Sequence, residues 1–188
     1  LGVSSVDNIP DSRTGSTAVS DENNNLWLFG GRRNYGATLS NWGEHKGDLW
    51  RISFSPLPTE IIGISNVTQS SFTLSWAGVD GFYPANDYQI DVATDVEFTE
   101  MVSGYESLST TNTSIDLSNL PSGVTYFVRV RASNAVGVSK NSGVGSQLLI
   151  PANPLASGAS NTGKTSFPAN WNAVTGASSY FLEASTNS

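Results

Sequence analysis

The sequence predicts an all-β protein built around a β-sandwich, and three observations carry that prediction. Residues 120–133 read Leu-Pro-Ser-Gly-Val-Thr-Tyr-Phe-Val-Arg-Val-Arg-Ala-Ser. A Pro-Ser-Gly turn passes into strict alternation, with Tyr126, Val128 and Val130 on one face and Phe127, Arg129 and Arg131 on the other. A period of two with β-branched and aromatic residues marks a half-buried antiparallel strand. Second, only 13% of residues are charged and no long helix-favouring run occurs, which suits short strands joined by turns. Third, strand-like runs recur at regular spacing between two stiff joints, Pro56-Leu57-Pro58 and Pro151-Ala152-Asn153-Pro154. The joints divide the 188 residues into segments 1–57, 58–150 and 151–188.

The totals exclude several function classes. A net charge of −7 gives no basic footprint for nucleic acid or anionic lipid, and fits a solvated acidic surface. With no cysteine there is no disulfide, thiolate nucleophile or Cys-type zinc site. No apolar run approaches the ~18–20 residues of a membrane span. The chain starts at Leu1 with no signal peptide, as expected of a piece of a longer protein.

In segment 1–57, strand-like runs are expected at 17–20, 26–29 and 48–54. Asp21-Glu22-Asn23-Asn24-Asn25 forms a turn between the first two, and Gly30-Gly31 ends the second. Asp21-x-Asn23-x-Asn25 has the opening of a calcium loop, but Leu26 stands where such a loop needs Gly and Arg32 where it needs a carboxylate. A hairpin turn explains it. His45 is the only histidine, so neither a multi-His metal site nor a Ser–His–Asp triad has support. Lys46-Gly47-Asp48 resembles a tripeptide of integrin ligands, and is read instead as a turn before a strand. Trp27 and Trp50 lie in strand-like runs, where indoles usually pack, whereas loop-borne Trp42 stays a candidate ligand contact. Arg13, Gly15, the run Leu26-Trp27-Leu28-Phe29-Gly30-Gly31 and Asp48-Leu49-Trp50 together resemble a kelch repeat of bacterial type. The resemblance implies one incomplete propeller blade, which cannot bury its own faces.

In segment 58–150, strands are expected at 61–67, 72–76, 88–92, 114–117, within 120–133 and at 145–150. Phe72, Leu74 and Trp76 point inward, and with Leu120 and Tyr126 are the expected core. The inward Trp76, the tyrosine corner at Tyr126 and the pattern Leu117, Leu120-Pro121, Gly123, Tyr126, Val128, Val130, Ala132, Asn134, Gly137 resemble a fibronectin type III domain. The topology that this resemblance implies sets the third strand beside the sixth, so outward Asp91 is expected to face Arg129 or Arg131 as an exposed pair worth ~0–1 kcal/mol. Loop 134–139 lacks the Arg-Gly-Asp signal of some members of that family, so that adhesive activity is not carried over. The loop holding Phe82-Tyr83-Pro84 either packs on a neighbouring segment or contacts a ligand. Asn66-Val67-Thr68 and Asn112-Thr113-Ser114 are glycosylation sequons by pattern.

Segment 151–188 repeats what precedes it. Ser65-Asn66, Ser71-Phe72 and Trp76 return 95 positions later as Ser160-Asn161, Ser166-Phe167 and Trp171, and Tyr88-Gln89-Ile90 returns as Tyr180-Phe181-Leu182. The repetition resembles the start of a second fibronectin type III domain, stopping after its third strand. The run 165–177 resembles repeats of Bacteroidetes-type secreted proteins. Gly158-Ala159-Ser160-Asn161-Thr162-Gly163-Lys164-Thr165 satisfies the Walker A pattern, but Pro168 prevents the helix whose N-terminus would hold phosphate. Nucleotide binding is not expected.

No residue is assigned a catalytic, cofactor or metal role, and no cofactor is implied. The candidate ligand contacts are Trp42, Phe82 and Tyr83, and the candidate core residues are Trp76, Leu120 and Tyr126. The leading expectation is a non-catalytic structural or interaction region of a secreted or cell-surface multidomain protein, spacing or displaying a kelch propeller. The alternative is the accessory region of a secreted polysaccharide-active enzyme whose catalytic domain lies elsewhere. The expected partner is a protein or carbohydrate, without nucleic acid or membrane insertion. Unpaired strand edges also allow a strand-addition dimer.

Overall fold

The computed structural model describes residues 13–21, 26–33, 47–52, 54–81, 83–160, 162–163 and 165–185. Fourteen strands and no helix occur among them. Strands β1 (Arg13–Thr14), β2 (Thr17–Ser20), β3 (Leu26–Phe29), β4 (Arg32–Arg33) and β5 (Leu49–Ile52) belong to the first segment. The central region adds β6 (Ile61–Ser65), β7 (Phe72–Trp76), β8 (Asp87–Ala93), β9 (Leu108–Thr110), β10 (Ser114–Leu117), β11 (Thr125–Ser133) and β12 (Gly145–Leu148). Last come β13 (Ala156–Ser157) and β14 (Asn170–Trp171).

The central strands form two antiparallel sheets, ordered β10-β7-β6 and β12-β11-β8-β9. Alternation explains how they stack, because every second side chain of β7, β8 and β11 is apolar and needs a dry partner. Phe72, Leu74 and Trp76 from one sheet share a single core with Tyr88, Ile90, Val92, Tyr126, Val128, Val130 and Ala132 from the other. Leu117, Leu120 and Leu149 close its ends. The Trp76 and Tyr88 rings meet across the layers, centroids 5.6 Å apart and tilted by 60°. At the mouth of the core the Tyr126 hydroxyl donates to the Pro121 carbonyl at 3.1 Å, the tyrosine-corner bond that fixes the turn before β11. The short strand β9 has no counterpart in the sequence expectations. Three residues are too few to show a period.

The outer face of the β8–β11 pair departs from expectation. Asp91 is opposite Arg129 in the register, as alternation requires, but it is 2% exposed rather than at the surface. Its carboxylate accepts from Arg129 Nε at 2.8 Å, from Arg131 Nη2 at 3.1 Å to each oxygen, and from the Ser107 amide at 2.8 Å. The cause is the segment 94–107, which folds back along β8. Thr94 N–H donates to Glu100 O, Val102 N–H to Val92 O and Val92 N–H to Tyr105 O. This strap places Phe98 beneath the Arg129 guanidinium, 4.1 Å from its carbon to the ring centroid. Tyr105 ties the strap down, its hydroxyl donating to Ser118 O and accepting from Ser118 N–H. The pair is therefore desolvated on its anionic side, and the weak-pair figure does not apply.

In the first segment, β2, β3 and β5 form one antiparallel sheet and β1 pairs with β4. Register places Thr17, Phe29, Leu49, Val19, Trp27 and Arg51 on one face, and Ala18, Leu28, Trp50, Ser20, Leu26 and Ile52 on the other. Both faces are apolar. Val19, Leu26, Phe29 and Leu49 are exposed. In the last segment β13 pairs with β14, and residues 180–185 form no strand. The third strand expected there is absent because its counterpart β8 is held between β9 and β11, and no described strand offers the tail such neighbours.

Replacing Asp91 with Ala strands two arginines on the strap-covered face and is expected to cost on the order of 3 kcal/mol. Urea denaturation checks this. A loss under 1 kcal/mol would mean that the strap leaves the pair solvated.

Candidate functional site

Binding in antiparallel sandwiches concentrates at the loop ends, so the candidate ligand contacts are best read from there. Of the three, Trp42 and Phe82 lie outside the described residues, as does His45. Tyr83 is half-buried in the loop between β7 and β8. The loop hangs from the core, since Val79 N–H donates to the Tyr88 hydroxyl at 2.9 Å and Ala85 N–H to Val79 O. Tyr83 is not free to meet a ligand with both faces. Its ring lies 4.5 Å from the Phe54 ring, tilted by 50°.

Asn134 builds the other half of this end. Its side-chain oxygen accepts from Val136 N–H at 2.9 Å and Gly137 N–H at 3.2 Å, which folds residues 134–137 into a tight turn. Its amide nitrogen donates to Phe54 O at 3.0 Å and Pro84 O at 3.4 Å. One side chain thus joins both loops to the linker preceding the sandwich. Pro56 and Thr59 are buried just beyond, and the Thr59 hydroxyl donates to Ala77 O at 2.6 Å. Tyr83 and Asn134 bring an aromatic ring and an amide to this end, groups that pack and hydrogen-bond, and exposed Asp80 lies in the same loop.

Sequence reasoning did not find Phe54 or the clamp made by Asn134. Asn-Ala-Val-Gly was readable as a turn, but nothing local tells which backbone carbonyl an asparagine amide 80 residues away will meet.

Asp21 accepts from the Trp27 indole at 2.7 Å, and Asp48 accepts from the Trp50 indole, two residues along the chain, at 2.6 Å. Among the described residues no three His, Cys, Asp or Glu side chains form a group able to hold a metal ion. In the Walker-like stretch, Gly163 N–H donates to Ser166 O at 2.7 Å, closing a turn, and residues 165–169 are not helical. Asn161 and Lys164 of that motif lie outside the described residues. The sequon residue Asn66 donates from its amide to Thr73 Oγ1 at 3.1 Å, while Asn112 lies with Thr110, Ser114, Ile115 and Asp116 on an open groove. Trp76, Leu120 and Tyr126 are buried.

Among the described residues, Asp95 and Tyr126 have shifted acidities. The Glu100 amide donates to Asp95 at 2.7 Å and, with the amide and hydroxyl of Thr99, holds this exposed carboxyl below the usual carboxylate range. Desolvation holds the Tyr126 phenol above the usual tyrosine range.

What the geometry defines is an antiparallel β-sandwich module. Residues 57–146 match the family model described as fibronectin type III domain, and the chain carries such a domain there. No curated protein matches the chain. Among solved structures it is similar to one titled "Myokine structure", at 22% identity over 51% of this chain and 99% of that one, with a TM-score of 0.42. It is also similar to the sixth fibronectin type III domain of human fibronectin type III domain containing protein 3, at 18% identity over 56% and 96%, TM-score 0.44. A third likeness is to the twitchin kinase region of C. elegans, at 23% identity and TM-score 0.43, covering 50% of this chain and 17% of that one. No helix among the described residues is long and apolar enough to cross a membrane.

Two pH effects follow, with opposite signs. Tyr126 contributes stability that is full below the ordinary tyrosine pKa and declines as pH rises through its raised folded value. Tyr126→Phe is expected to lose about 1 kcal/mol at neutral pH and to flatten that alkaline decline, read by urea melts from neutral pH upward. Asp95 stabilises its turn above the ordinary carboxylate pKa, and the contribution disappears as pH falls through its lowered folded value. In an NMR titration the Thr99 and Glu100 amides are expected to move together at that lowered midpoint, and Asp95→Asn to abolish the movement. A midpoint in the ordinary range would refute the capping.

Proposed function

We propose that this chain is a non-catalytic structural and interaction region of a secreted or cell-surface multidomain protein. In it the sandwich spaces and displays the sheet that precedes it. The supporting observation is the occupied loop end: Tyr83 and Asn134, which a ligand would meet, are engaged by Phe54 of the same chain. A spacer needs a defined attachment at this pole, whereas a receptor needs it open.

The preceding sheet is read as a blade of a bacterial-type kelch propeller. Apolar side chains on both faces of β3 and β5 support this, because a blade stacks against neighbours on either side while an edge-of-domain sheet has one wet face. A secreted or surface location is in keeping with the acidic, cysteine-free composition and with the fibronectin type III domain.

The test probes a glycan array and a panel of extracellular proteins with the intact chain and with Tyr83→Ala. The expected result is no ligand whose binding depends on Tyr83. In parallel, Phe54→Ala is expected to raise thermolysin cleavage within residues 53–58 roughly tenfold, equivalent to ~1.4 kcal/mol of lost attachment. Micromolar binding of one ligand class, abolished by Tyr83→Ala, would make this pole a receptor site and overturn the spacer reading.

A further inference from the structure

The opposite pole of the sandwich carries an equally specific contact. The turn before β11 is rigid, because Tyr126 holds Pro121, Leu120 N–H donates to Ser70 O, and Leu149 N–H donates to Val124 O. Gly123 stands at its tip with φ +69. Against it lies Gly176 of the last segment, with φ +77. A Cβ on Gly176 would sit 2.5 Å from Gly123 O and 2.7 Å from Gly123 Cα, and a Cβ on Gly123 would overlap the Thr175 carbonyl. Backbone meets backbone here, at a separation that admits no side chain on either partner. A second tie lies nearby, where Gln69 Nε2 donates to Asn153 Oδ1 at 3.2 Å. The connecting chain is stiffened by Pro151 and Pro154.

The segment that supplies Gly176 is built like the sandwich it touches. Trp171 and Tyr180 have ring centroids 5.7 Å apart, against 5.6 Å for Trp76 and Tyr88. Val174 N–H donates to the Tyr180 hydroxyl at 2.8 Å, as Val79 N–H does to Tyr88 at 2.9 Å. The turn 174–177 therefore corresponds to the loop pole of the first sandwich, the pole that there receives Phe54. Each loop pole faces the segment that precedes it.

We propose that Gly123 and Gly176 form a fixed-angle joint, in which the far pole of the fibronectin type III domain is the docking surface for the loop pole of the following sandwich-like segment. The joint deepens the spacer reading and rests on it for its use: a spacer of fixed angle sets orientation as well as distance.

The natural absence of cysteine allows two to be placed uniquely for spin labelling. Exposed Glu106 and Ser179 are replaced by Cys in the full chain, and the interlabel distance is measured by pulsed electron spin resonance. One narrow peak is expected. Gly176→Val is expected to abolish that peak while leaving the melting of the central sandwich unchanged, since Gly176 lies outside it. Gly158→Ala, where an added Cβ meets nothing within 4 Å, is expected to keep the peak. A broad distribution in the parent chain, or a peak that survives Gly176→Val, would overturn the joint. Either result leaves open a flexible spacer, whereas a ligand lost in Tyr83→Ala would remove the spacer reading and leave the joint standing.

Discussion

Strand β11 is committed on both of its faces, and the rest of the domain follows from that constraint. Inward, Tyr126, Val128, Val130 and Ala132 fill the space between the sheets. Outward, Arg129 and Arg131 converge on one carboxylate from β8. A register slip of one residue would send both arginines into the core and the valines to the surface, so the β8–β11 pairing has a single acceptable alignment. The buried Asp91 reinforces it, because a desolvated charge stripped of its partners is far costlier than an apolar mismatch.

That pairing also positions the ends. The tyrosine corner fixes the turn that presents Gly123, and the far end of β11 runs into Asn134. The two poles are thus connected by one strand. Each is engaged by the chain itself, Phe54 at one and Gly176 at the other. Tyr83 and Asn134 at one pole and Gly123 at the other thus make contacts within the chain.

The first sheet presents the complementary situation. Its three main strands pair in regular register, yet aromatic and aliphatic side chains emerge on both faces and stay partly exposed. A sheet of that kind gains little from hydrogen bonding alone; its stability lies in what covers it. The central sandwich needs no such cover, its apolar faces being buried against each other.

Local periodicity made the sandwich legible. Alternation in β7, β8 and β11, the Pro-Ser-Gly turn and the repetition of Trp76 and Tyr88 as Trp171 and Tyr180 are short-range signals, readable because side chains in a strand point to opposite faces in turn. The tertiary structure alone decided the rest. Strap 94–107 has no period, so its fold over Asp91 was hidden and the ion pair was misread as exposed. Phe54 and Asn134, like Gly123 and Gly176, meet across long stretches of chain through single contacts. Such contacts depend on where whole elements come to rest, and no neighbouring residue records that position.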